Sequence, residues 1–172
     1  MPGWFGKKPS AAQVPPPVGV YTGLRGQIFG LKPADLGLKG TEANAVWGAL
    51  MEMGYPQGAA SLVCLADGTT SLYFSTGGGI LSGGQHREVA QAGRDFLTAV
   101  GTALPAFQPA REYPLPLVGQ VRFYALAGQK VYSTFAGEDD LGHHRLPLAE
   151  LFYAGQQVIT QLRLRVKPDQ PG

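Results

Sequence analysis

The segment Gly77-Gly78-Gly79-Ile80-Leu81-Ser82-Gly83-Gly84 carries the residue types best suited to holding an anion. Glycine amides can close around a phosphate or carboxylate, and a helix N-terminus behind them adds positive potential. Gly78, Gly79, Ser82, Gly83 and Gly84 would supply amides and one hydroxyl, with Arg87 adding a charge one turn on. The spacing fits neither G-x-G-x-x-G nor the P-loop. Glycines here also serve a tight crossover from strand to helix through positive φ. The segment therefore stands as an anion or nucleotide contact beside a purely structural reading.

Other reactive groups are poorly arranged for catalysis. Ser82 and His86 sit four residues apart across a helix start, but no nucleophile elbow surrounds the serine. Cys64 lies in the apolar run Leu62-Val63-Cys64-Leu65, where a small buried thiol without an orienting base is expected. A single cysteine excludes an internal disulfide and any cysteine-rich zinc site. His143-His144 follow Glu138-Asp139-Asp140, yet adjacent histidines do not readily face one site and H-E-x-x-H spacing is missing. The expectation is a non-enzyme with no catalytic residue, metal or cofactor.

Leu81-Ser82-Gly83-Gly84-Gln85 resembles the LSGGQ signature of ABC-transporter ATPases, and His86-Arg87-Glu88-Val89 continues it as a polar helix. That family also needs a P-loop. Gly6-Lys7 is the one Gly-Lys pair, and no strand precedes it. The five letters carry no ATPase assignment.

The chain of 172 residues fits one domain with a core of its own, at 44% hydrophobic and 15% charged residues. Gly (25) and Pro (14) are abundant, which predicts tight turns and a lightly charged surface. A formal charge of +2 is too small to imply nucleic-acid binding. Tyr73, Tyr124 and Tyr132 fall on expected strands, but stacking platforms need basic neighbours, and only Arg122 and Lys130 are near. Arg163, Arg165 and Lys167 read as a solvated helix end. No apolar run is long enough to cross a bilayer and no signal-peptide core follows Met1, so a cytoplasmic location is expected.

Residues 1–20 read as a Pro-rich tail, in which Trp4 and Phe5 beside Lys7 and Lys8 offer a minor membrane contact. Residues 21–40 read as an ordered strap with a helical turn after Pro33, 41–166 as a single α+β domain, and 167–172 as a C-terminal tail. Within the domain, Thr41 caps an expected helix with Val46, Trp47, Leu50 and Met51 on one face, ended by Gly54 and Pro56. A strand over Ala60–Ala66, an Asp67-Gly68 turn and a strand over Thr69–Thr76 make a hairpin. A helix over Gln85–Leu104 follows, with Val89, Ala92, Phe96, Leu97 and Val100 inward. Val121–Ala127 and Lys130–Ala136 make a second hairpin around Gly128-Gln129, and a last helix begins near Pro147.

This order, α-β-β-α-β-β-α, predicts a mostly antiparallel sheet of two hairpins with helices on both faces. Together with the Asp67-Gly68 hairpin it resembles the roadblock/LC7 and profilin-like group. The resemblance implies a bacterial, non-enzymatic interaction module. Such proteins pair sheet edges and middle helices into a homodimeric platform, often for a small Ras-like GTPase. It would place the interface on the middle helix at Arg87, Gln91, Arg94 and Asp95, with an edge strand near Tyr132. Two alternatives stand beside it: an anion sensor built on residues 77–84, and a subunit of a larger homo-oligomer.

Overall fold

The segment Val46–Tyr55 decides the architecture. A computed structural model of the chain describes residues 12–39, 42, 45–82 and 84–166. In it Val46–Tyr55 is not a helix but the central strand, β1. β2 (Gly58–Leu65) pairs antiparallel with it on one side and β6 (Gln120–Ala127) on the other. Both faces of β1 are covered, so it is apolar almost throughout. An irregularity between Val46 and Gly48 puts Trp47 in the same apolar layer as Leu50, a spacing that imitates a helix face. The expected Thr41 cap lies outside the described residues.

The two-hairpin order α-β-β-α-β-β-α is therefore overturned. Among the described residues the sheet has seven strands in the order β4-β3-β2-β1-β6-β7-β5, with antiparallel neighbours throughout. β3 (Thr70–Phe74) leaves β2 through the Asp67-Gly68 turn, where Gly68 takes φ 94 and the Asp67 carboxylate accepts from the Thr69 amide. β4 (Gly79–Ser82) is a further edge strand inside the glycine-rich segment. β5 is only Gln108–Pro109, and β7 (Lys130–Gly137) returns from β6 through Gly128 at φ 57. The fold remains α+β.

One face of the sheet carries α2 (Arg87–Ala103) and α4 (Ala149–Arg165). Val89, Phe96 and Val100 of α2 meet Leu151, Val158 and Leu162 of α4 over Ala49, Met51 and Phe123. A short α3 (Glu138–Gly142), which begins with Glu138-Asp139-Asp140, lies between β7 and α4. The other face is covered by α1 (Gly19–Gly30) and the Pro-rich segment around Tyr113, over Trp47, Leu50, Val63 and Tyr124. α1 contains Gly19, Gly23, Gly26 and Gly30, a sequence with little intrinsic helicity. Its order comes from Tyr21, Arg25 and Phe29, which recur every four residues and so share one face toward the sheet. Among the described residues no helix is long and apolar enough to cross a membrane. Trp4 and Phe5 lie outside them.

Candidate functional site

The structure divides the expected anion loop. Gly78 turns the chain into β4, Gly79 pairs with Tyr73, and Ser82 pairs with Thr70 at the far end of the strand. Gly84 lies against Gly68, and Arg87 is the exposed first residue of α2. Gly83 lies outside the described residues. Gly78 and Ser82 thus stand at opposite ends of β4, roughly 13 Å apart at about 3.3 Å per residue, and Arg87 begins α2 five residues beyond Ser82. The Ser82 hydroxyl is buried and meets no hydrogen-bond partner among the described residues.

Of the expected interface residues, Arg87, Gln91, Arg94 and Asp95 share α2, and Tyr132 lies on β7. Gln91, Arg94 and Asp95 are exposed on α2 and hydrogen-bonded among themselves: Gln91 donates to Asp95 and Arg94 to Gln91, each at 2.9 Å. Tyr132 is partly buried against the main core and paired with Pro109 of β5, so its strand is covered at that point. His143 bonds to Asp139, while His144 stacks on Tyr153 at 4.6 Å. Among the described residues no three His, Cys, Asp or Glu side chains are grouped to hold a metal. Cys64 is fully buried, which pushes its thiol pKa upward.

A dense polar cluster is buried beneath α1. Glu52, on β1, has no exposed surface and accepts two hydrogen bonds from Arg25, at 2.9 Å from Nε and 2.8 Å from an Nη. Ser61 on β2 lies opposite Glu52 and donates to the same carboxylate at 2.5 Å. A carboxylate only accepts, so the Ser61 proton is committed and the Tyr21 hydroxyl must donate to Ser61. Burial, then the Glu52 charge, push the Tyr21 phenol well up. The same two causes push Tyr124 up to about 12. Tyr124 donates at 2.6 Å to the Pro114 carbonyl and so ties down the Pro-rich segment. Burial alone would lower the Arg25 pKa, but its bonds to Glu52 and the Glu52 charge carry it upward. The cluster is closed and satisfied. Its chemistry is that of a clasp fixing α1 to the sheet, not of a reacting centre.

The open chemistry lies at the opposite edge. β5 pairs with Tyr132 and Ser133 of β7, after which the two segments part. Between them is an apolar groove of about 680 Å³. Ala103 of α2, Ala106, Ala136 and the Leu146-Pro147-Leu148 segment form its walls. The Phe135 ring, 54% exposed, turns to the other face of the sheet and stacks on the Arg122 guanidinium at 4.6 Å. Backbone direction alternates along an antiparallel strand. Since the Val131 carbonyl accepts from Ala110 on the β5 side, the Phe135 amide and carbonyl face the same outer side, past the end of β5.

The periodicity of β7 marks it as a strand, but nothing local in the sequence shows where β5 ends. Glu52 does leave a trace: a lone carboxylate in the run Leu50-Met51-Glu52-Met53 demands a buried partner. Scanned against protein-family models, the curated proteins and the solved structures, the chain has no match.

Proposed function

We propose that the chain is a non-enzymatic interaction module that takes an extended, largely apolar segment of a partner protein into the groove beside β7. The supporting observation is the departure of β5, which leaves the outer backbone of Phe135 next to an apolar wall. An added strand satisfies such an edge with main-chain hydrogen bonds, and its alternate side chains enter the groove or meet the Phe135 ring. Glu150 is the one ionisable residue along the groove among the described residues, so a lysine or arginine on the segment complements it. The small-GTPase platform follows from the roadblock resemblance alone, and the observed element order does not support it.

Selection from a displayed library of short peptides tests the proposal. Enrichment of alternating apolar residues with one cation is expected. N-methylation of alternate peptide amides should abolish binding, and Ala103→Asp should weaken it at least about tenfold, or 1.4 kcal/mol. No enrichment, or equal binding to the variant, refutes the reading. A homodimer broken by Ala103→Asp would instead place a second copy in the groove and overturn the partner assignment.

A further inference from the structure

A second groove, of about 550 Å³, opens on the α1 face. Its volume lies in the range of small-molecule sites, roughly 300–1,000 Å³. Three segments distant in sequence each bring one cation to it: Lys32 just after α1, Arg111 from the Pro-rich segment, and Lys130 at the β6–β7 turn. All three are exposed, and none forms an ion pair with another described residue. Among the described residues no carboxylate lines the groove. Asp35, the acid nearest Lys32 in sequence, accepts from the Lys32 backbone amide, and Glu112 beside Arg111 is exposed outside the lining.

Between the charges the surface is aromatic and aliphatic. Phe29 and Tyr113 stack at 4.1 Å with their planes 8° apart and form one wall. Trp47 contributes to the floor, its only donor already engaged by the Gly128 carbonyl at 2.9 Å. What the indole offers is therefore hydrocarbon rather than a hydrogen bond. The clasp beneath α1 fixes this wall, because Arg25 lies 4.9 Å from the Phe29 ring centre while holding Glu52.

We propose that this groove binds a small organic polyanion with a flat, apolar body. Three cations from separate segments line one groove, so an anion of two or three charges is attracted by all of them at once. The aromatic wall and indole floor then select a planar body over a bare ion. Sides formed by α1, the Pro-rich segment and the β6–β7 turn favour a compact ligand over a polymer. The site is on the other face of the sheet from the peptide groove and stands independently of it.

Isothermal titration with ATP and with 1,3,6,8-pyrenetetrasulfonate, each compared with tripolyphosphate and adenosine, tests the proposal. Both flat polyanions are expected to bind, at least about tenfold more tightly than tripolyphosphate. Adenosine should not bind, and added salt should weaken the polyanions. Arg111→Glu and Lys130→Glu change exposed side chains, so both should melt like the parent chain while losing tenfold or more in affinity. Ala103→Asp should bind as the parent chain does. Failure of both flat polyanions to bind at about 1 mM, equal affinity for tripolyphosphate, or retained affinity in the charge-reversed variants overturns it.

Discussion

Replacing Arg25 with methionine would keep most of the side-chain stem while leaving the Glu52 carboxylate charged, buried and short of donors. Arg25 supplies two of the three hydrogen bonds that this carboxylate receives. Removing one member of a buried pair costs about 3–5 kcal/mol, because the remaining charge keeps its desolvation penalty. The lower end, about 3 kcal/mol, is expected here. Ser61 still donates, and the Arg25 side chain is 15% exposed, so water can reach the vacated position. Urea unfolding reads the effect directly. With a slope of about 2 kcal/mol per molar, the midpoint should fall by about 1.5 M. The double variant Arg25→Met, Glu52→Met removes the charge together with its partner and should return to within about 1 kcal/mol of the parent, or exceed it. A single variant within about 0.5 kcal/mol of the parent would refute the clasp as the anchor of α1. So would a double variant no more stable than the single.

Four further outcomes are expected. Tyr124 titrates near 10 in an unfolded chain and is raised to about 12 in the fold, so its contribution is complete below about pH 10 and lost as pH rises toward 12. Unfolding free energy measured across that alkaline range should fall less steeply in Tyr124→Phe, and an unchanged slope would contradict the assignment. A methyl group at Gly54 would strike the Leu117 carbonyl, so Gly54→Ala should cost about 2–3 kcal/mol. Gly101, inside α2 with open space around it, should gain about 0.5–1 kcal/mol as alanine; thermal melts of the two variants compare them. Cys64 should react with a thiol reagent only as fast as the chain unfolds, and rapid labelling of the folded protein would show that its burial is incomplete.

What could be read from the sequence was what forms locally. The Asp67-Gly68 and Gly128-Gln129 turns and the stripe Val89, Ala92, Phe96 and Val100 each specify their own element, and they stand where expected. β1 was obscured because layers on both sides make it apolar at nearly every position, and the irregularity at Val46–Gly48 gives Trp47, Leu50 and Met51 a helical rhythm. α1 was hidden by its glycines, since its helix depends on contacts that Tyr21 and Arg25 make with Ser61 and Glu52. β4 was concealed in a glycine-rich run that reads as a loop. Both grooves belong to tertiary structure. One is set by where β5 stops, and the other joins Lys32, Arg111 and Lys130 from three separate parts of the chain.

The seam between β1 and β6 has a kinetic meaning. β1 to β4 follow one another as hairpins, and β6 with β7 forms another, so each group can assemble from neighbouring residues. β1 and β6 pair along most of their length, although four strands and α2 lie between them in the chain. Closing that long loop precedes any reward from the contacts it brings, which makes the seam the expected rate-limiting event in folding. Truncations at Met51 and Phe123, which face each other across it, should slow refolding in stopped-flow measurements. Truncation of Ile80 on the outer strand should chiefly accelerate unfolding.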